Sequence, residues 1–208
     1  MECATRDAVR MFTYRISITP TPTHVTSTPP LAELVARLAY QEGDFTLASG
    51  RKSTFYLDAK QVSYHPDSIR AVGRGILGAI ADLEVEAIGG LTMGADPIIA
   101  ATVWASAEAG TPLTGFVVRK EAKGHGLGKW IEGVHPKGKR VAILDDVITT
   151  GGSSLKAVEQ ARAAGAEVVA VVGLVDREEG GADLFRAEGL EYRAVCRLSE
   201  VRAAAASG

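Results

Sequence analysis

Residues 141–154 read Val141-Ala142-Ile143-Leu144-Asp145-Asp146-Val147-Ile148-Thr149-Thr150-Gly151-Gly152-Ser153-Ser154, and their order decides the fold. An apolar run predicts a buried strand over 141–145. Two carboxylates follow, and a hydroxyl-rich glycine turn then leads into a helix over 153–164. A helix start leaves backbone N–H groups without intrahelical partners, and such groups suit a phosphate. In open α/β sheets a ligand sits beyond the carboxyl ends of the strands, where Asp145 and Asp146 fall. Successive strand residues point to opposite faces, so the two acids need not share a task. One can meet sugar hydroxyls or a metal's water shell while the other is held by protein donors. No Gly-Lys-Ser/Thr follows the glycines, which excludes a Walker A loop, and this turn carries no Gly-x-Gly-x-x-Gly, so it is not a dinucleotide fingerprint. A lone Asp-Asp pair would suit a plain strand–turn–helix junction. The Thr-Thr-Gly-Gly-Ser continuation favours a phosphate site.

Working outward, strands alternate with helices. A helix is expected over 31–41, with Leu31, Leu34, Val35, Leu38 and Ala39 on one face and Gly43 ending it. Residues 45–47 and 54–57 flank Ser49-Gly50-Arg51-Lys52 as a hairpin. Asp67 is placed to cap a helix carrying Ile69, Val72, Ile76, Leu77 and Ile80. Next come a strand over 86–90, a helix over 97–109, a strand over 113–118 and a long loop over 119–139. After the central motif the pattern gives a strand over 168–175, a short helix over 182–188 and a last strand over 192–196. Such alternation predicts an α/β fold: a doubly wound, mainly parallel sheet with helices on both faces. The early hairpin, about 44–60, falls outside the alternation and is expected as a small N-terminal hood over the carboxyl edge of the sheet. The organisation expected is one domain over 31–208, preceded by a flexible extension over 1–30 that is Thr/Pro-rich over 19–30.

The 208 residues are 46% hydrophobic and 23% charged, ordinary for a globular protein, and can bury a substantial core. A net charge of −2 gives no global attraction to nucleic acid, so no nucleic-acid partner is expected. No apolar run is long enough to span a bilayer, so no membrane partner is expected either. Cys3 and Cys196 make no CxxC motif or metal pair, which suits a reduced, cytoplasmic setting.

The loop over 119–139 opens Arg119-Lys120-Glu121-Ala122-Lys123-Gly124-His125-Gly126 and carries Lys129, Lys137 and Lys139 further on. A long basic loop inside a domain is a solvated span or a mobile lid. Beside a phosphate site the lid reading gains, since Lys and His can supply both charge and a proton to an anionic leaving group.

The central motif closely resembles the phosphoribosyl pyrophosphate motif of type I phosphoribosyltransferases. The basic segment is similar to the catalytic loop of orotate phosphoribosyltransferases. Three further segments fit the same family: Phe45-Thr46-Leu47-Ala48-Ser49-Gly50-Arg51-Lys52-Ser53, Gly89-Gly90-Leu91-Thr92-Met93-Gly94-Ala95-Asp96-Pro97 and Val175-Asp176-Arg177-Glu178. The resemblance spans about 31–196. It implies transfer of a phosphoribosyl group from 5-phosphoribosyl 1-pyrophosphate to orotate, giving orotidine 5-phosphate and pyrophosphate.

By position, the resemblance makes Lys123, His125, Asp145 and Asp146 catalytic. It gives the phosphoribosyl pyrophosphate site as Arg119, Lys120, Lys123, His125, Asp145, Asp146, Val147, Ile148, Thr149, Thr150, Gly151, Gly152 and Ser153. It places Arg177 at the orotate site, where Thr149 offers another donor and Tyr56 and Lys52 are expected to complete the lining. Mg²⁺ is the implied cofactor, held by substrate and water rather than directly by protein ligands. A homodimer is implied too, with the catalytic loop reaching the neighbouring subunit's site. Two positions depart from the pattern: many members carry Lys where Ala48 stands and another Lys near Gly94. Lys52 is the stand-in considered. The other readings are a phosphoribosyltransferase for a purine or uracil, and a regulator that senses phosphoribosyl pyrophosphate and binds nucleic acid.

Overall fold

The computed structural model describes residues 30–46, 50, 52–121 and 130–207. In chain order its elements are α1 (Leu31–Ala39), β1 (Tyr40–Thr46), β2 (Lys52–Leu57), α2 (Lys60–Ser63), α3 (Ile69–Ala79), β3 (Ala87–Leu91), α4 (Ala95–Glu108), β4 (Thr114–Val118), β5 (Ile131–Gly133), β6 (Arg140–Ile148), α5 (Gly152–Ala163), β7 (Glu167–Asp176), α6 (Gly181–Ala187), β8 (Glu191–Arg197) and α7 (Leu198–Ser207). The six-stranded sheet runs β5-β4-β3-β6-β7-β8. All its pairings are parallel except that of β5 with β4. The expected doubly wound α/β architecture is therefore what forms.

The period-2 rule sorts the core onto two faces. Along β6, Ala142 and Leu144 join the cluster beneath α3 and α4, with Val72, Ile76 and Ile98. Val141 and Ile143 join the opposite cluster beneath α5, with Ala157, Val158 and Phe185. Each such side chain is fully buried, and the Val, Leu, Ile and Phe among them contribute roughly 1.5–3 kcal/mol apiece. Glycines let the central layers approach. A Cβ at Gly89 would stand 2.2 Å from the Phe116 ring, and one at Gly90 2.2 Å from the Leu144 carbonyl.

Local expectations are corrected in three places. The first helix stops at Ala39 because Tyr40 is already extended and pairs with Leu57; Gly43 lies inside β1, at a register shift between Glu42 and Phe45. Ser68, not Asp67, stands at the head of α3, its hydroxyl turned back to the Val62 carbonyl at 2.6 Å. The span expected as loop over 119–139 contains β5, whose three residues pair antiparallel with β4. The hairpin expected near 44–60 is β1 and β2, with α2 following.

Candidate active site

After β3 the chain builds β4 on one side, and later strands continue from β6 on the other. A crevice opens at the carboxyl ends of two strands where a sheet reverses in this way. Asp145 and Asp146 stand there, 7% and 8% exposed.

Alternation separates them. Asp145 continues the Ile143 face toward α5. Its Oδ2 accepts from Ser154 Oγ at 2.6 Å and from Ser153 Oγ at 3.3 Å, and its Oδ1 accepts the Asp146 N–H at 3.0 Å. Burial pushes its carboxyl up to about 6; the Ser154 hydrogen bond opposes this and the adjacent Asp146 charge adds to it. Asp146 faces the other way. Its Oδ1 accepts the Val147 N–H at 3.0 Å, and its Oδ2 lies 3.2 Å from Lys60 Nζ. A Cβ at Gly94 would come within 2.5 Å of Asp146 Oδ1, so the turn after β3 needs glycine there. Asp145 is thus a brace for the turn, and Asp146 is the carboxylate presented to the crevice.

The turn between β6 and α5 has a geometry that suits an anion. Gly151 has φ +84, the left-handed region that glycine adopts at least cost, and α5 has no side-chain cap. The first N–H groups of α5 consequently lack intrahelical acceptors, and the helix dipole adds partial positive charge. Thr149 is half-buried, with its carbonyl accepting the Gly181 N–H at 3.1 Å; Thr150, Gly152 and Ser153 are exposed. Val147 and Ile148 prove to be the last residues of β6. Ile148 is buried in the core, so it offers the crevice backbone only.

Cations flank this turn. Arg119 and Lys120 line, with Ser153, Lys156 and Trp130, a cleft of about 490 Å³. The Arg119 N–H donates to the Trp130 carbonyl at 2.8 Å, drawing together the two ends of the basic segment. On the opposite side, Arg177 follows directly on β7. Its side chain is 11% exposed, its guanidinium lies 4.7 Å from the centroid of Phe55 in β2, and Nη2 pairs with Glu179 at 2.8 Å. The Arg177 Nε is buried without a hydrogen-bond partner among the described residues.

No protein-family model matches the chain. It is 45% identical over 173 residues to the orotate phosphoribosyltransferase of Nostoc sp., covering 83% of this chain and 84% of that protein. The crystal structure of Mycobacterium tuberculosis orotate phosphoribosyltransferase in complex with Fe(III) dicitrate is 43% identical. It superimposes with a TM-score of 0.75, over 82% of this chain and 96% of that one. The same enzyme in complex with 5-phospho-α-D-ribosyl 1-diphosphate gives 40% identity, a TM-score of 0.72 and coverage of 83% and 96%. The chain belongs to the orotate phosphoribosyltransferase family.

Within that family's pattern, the structure brings Asp145, Asp146, residues 149–153, Arg119 and Lys120 to one edge of the sheet. Lys123, His125 and Ala48 lie outside the described residues. Lys52 is exposed, its Nζ donating to Thr46 Oγ1 at 2.9 Å across the hairpin. Tyr56 is 45% exposed, its ring 5.6 Å from that of Phe45. Sequence reasoning missed Lys60, which reaches Asp146 from α2, 86 residues away along the chain. It missed Phe55 as the platform for Arg177. The Phe-Tyr pair in the hairpin was the available signal, but pairing it with Arg177 needed the fold. Cys196 is a buried core thiol, donating to the Leu174 carbonyl and pushed up to about 12 by burial.

Proposed function

We propose that this chain performs its family's reaction in the crevice beyond β3 and β6. It transfers the phosphoribosyl group of 5-phosphoribosyl 1-pyrophosphate to orotate, yielding orotidine 5-phosphate and pyrophosphate in pyrimidine (UMP) biosynthesis. The observation that carries this reading is the division of the acid pair beside an uncapped glycine turn: Asp145 tied to Ser153 and Ser154, Asp146 turned to the crevice.

The 5-phosphate is received by the turn at 149–153, and the ribose hydroxyls face Asp146. The C1–oxygen bond breaks with its electron pair leaving on pyrophosphate, while a ring N–H of orotate gives up its proton to solvent and forms the new bond to C1. Positive charge grows on the ribose as this happens, and the buried carboxylates oppose it at short range. Arg119 and Lys120, with Lys123 and His125 of the same segment, supply charge and a proton for the departing pyrophosphate. On the base side, stacking on Phe55 fixes the plane of the Arg177 guanidinium. A planar fork of donors suits the imide and carboxylate of orotate. Thr149 and Tyr56 line the same side, with Lys52 at the rim.

No cluster of three or more His, Cys, Asp or Glu is placed to hold a metal among the described residues. Two adjacent carboxylates at the crevice still suit Mg²⁺, which binds through one or two carboxylates, substrate oxygens and retained water. When bound, it would neutralise charge on the diphosphate, with Asp146 the carboxylate able to reach its water shell while Asp145 stays tied to Ser153 and Ser154.

The protein works in the cytoplasm, as a single domain over 31–208, with the β1–β2 hairpin as hood and 119–139 as the catalytic loop. It acts as a homodimer in which that loop serves the neighbouring subunit's site. The free thiol of Cys196 suits that compartment. Among the described residues no helix is long and apolar enough to cross a membrane. The test is loss of orotate absorbance with phosphoribosyl pyrophosphate and Mg²⁺, run beside a panel of purines and uracil. Orotate should be consumed and the other bases left. Turnover of another base in its place overturns the assignment.

A further inference from the structure

Lys60 opens α2, directly behind the hood hairpin, and the fold delivers its ammonium to the crevice. Nζ is 3.2 Å from Asp146 Oδ2 and 3.9 Å from Asp58 Oδ1, and the side chain remains 45% exposed. An ammonium has three donors, and 3.9 Å is an ion-pair distance rather than a hydrogen bond. With one donor on Asp146, capacity remains on the solvent side.

The position of that capacity relative to a bound sugar follows from the two faces of β6. The phosphate turn and α5 lie on the Asp145 side. Gly94 and Lys60 meet Asp146 on the other. A ribose anchored by its 5-phosphate at 149–153 and crossing the acid pair therefore presents C1, with its diphosphate, toward Lys60. The turn after β3 reads Leu91-Thr92-Met93-Gly94-Ala95 and brings no cation of its own to this end.

We propose that Lys60 is a substrate-binding residue that holds the diphosphate at the anomeric end of the sugar, its contact with Asp146 setting the position of the ammonium. The proposal rests on the reaction assigned above and adds a residue to it. It also accounts for a chain with alanine at 48 and no lysine near Gly94: the cation comes from α2 instead. Burial works to lower the Lys60 pKa, but Asp146 outweighs it and holds the amine above its ordinary value, so it is charged at neutral pH.

The test uses the full chain and its Lys60→Ala, Lys60→Gln and Lys60→Arg variants. Steady-state kinetics with orotate and phosphoribosyl pyrophosphate, in Mg²⁺, are read beside calorimetric binding of phosphoribosyl pyrophosphate and of ribose 5-phosphate. Losing a charge-assisted contact should raise KM for phosphoribosyl pyrophosphate by roughly 10- to 100-fold. Ribose 5-phosphate, which lacks the diphosphate, should bind within about 3-fold of wild type, where rim effects fall. Lys60→Arg should recover most of the loss. If Lys60→Ala melts early, the ratio between the two ligands is read from Lys60→Gln. Equal weakening of both ligands, or an unchanged KM, overturns the role of Lys60 while wild-type turnover leaves the reaction standing. A wild-type chain that consumes no orotate overturns the reaction itself and this role with it.

Discussion

The two sides of the crevice are made in different ways. The phosphate side is one continuous stretch: β6, the glycine turn and α5 follow each other in sequence, and among the described residues the Asp145 carboxylate accepts from its near neighbours Asp146, Ser153 and Ser154. The hood side is assembled from distant pieces. Lys60 reaches Asp146, Phe55 stacks on Arg177, and a second guanidinium, that of Arg202 in α7, lies 4.7 Å from the same Phe55 ring. The first region presents backbone geometry fixed by the core. The second presents long side chains from α2, the end of β7 and α7 around a two-stranded sheet, which is marginal without the packing it makes elsewhere. Perturbations should therefore act sharply and locally on the phosphate side and by degrees on the hood side.

The largest effect is expected at Asp146. Asp146→Asn keeps the acceptor for the Val147 N–H but loses the charge facing the ribose. The expected outcome is a fall of about 10²-fold or more in kcat/KM with the melting temperature unchanged. Unchanged kinetics would remove the acid pair from the mechanism.

Gly151→Ala comes next. A Cβ there combines φ +84 with an approach of 2.7 Å to Phe185 Cζ, and Phe185 is fully buried and has no room to yield. Urea unfolding should show a loss of roughly 1–3 kcal/mol. Phosphoribosyl pyrophosphate binding should weaken while orotate binding holds. Equal loss for both ligands would mean that the two regions are not separable.

Asp145→Asn probes the brace through pH. Burial raises the folded pKa of Asp145 to about 6, above its unfolded value, so the fold favours the neutral acid. As pH rises from about 4 through about 6, ionisation progressively costs the folded state, and the cost is complete above that window. The ligand-free variant should melt higher than wild type at neutral pH and not near pH 4. A gain of the same size near pH 4 would show that the carboxylate charge is not the cause. The smallest effect belongs to Lys52→Ala at the hairpin rim, where an exposed contact should change the orotate KM by no more than about 5-fold.

The same contrast governs what could be read from the chain. The sheet was readable because β6 and β7 carry unbroken apolar runs bounded by acids and glycine. The phosphate turn was readable because all its donors lie within a few consecutive residues. β5 escaped because three residues cannot show a period, and α2 because four cannot. α7 buries only Leu198 and Val201 along its ten residues, which is too sparse a stripe to mark a helix. Lys60 and Phe55 escaped for another reason: their roles exist only once the hairpin and α2 have come to the sheet edge. Lys52 stood closer to the expected hairpin turn, and the structure spends its amine on Thr46.

The most direct measurement is a crystal of the full chain soaked with phosphoribosyl pyrophosphate and Mg²⁺. The 5-phosphate density should lie against the backbone N–H groups of residues 150–153, with the ribose over Asp146 and the diphosphate toward Lys60. Density for the activated sugar anywhere other than beside residues 145–153 would contradict the account.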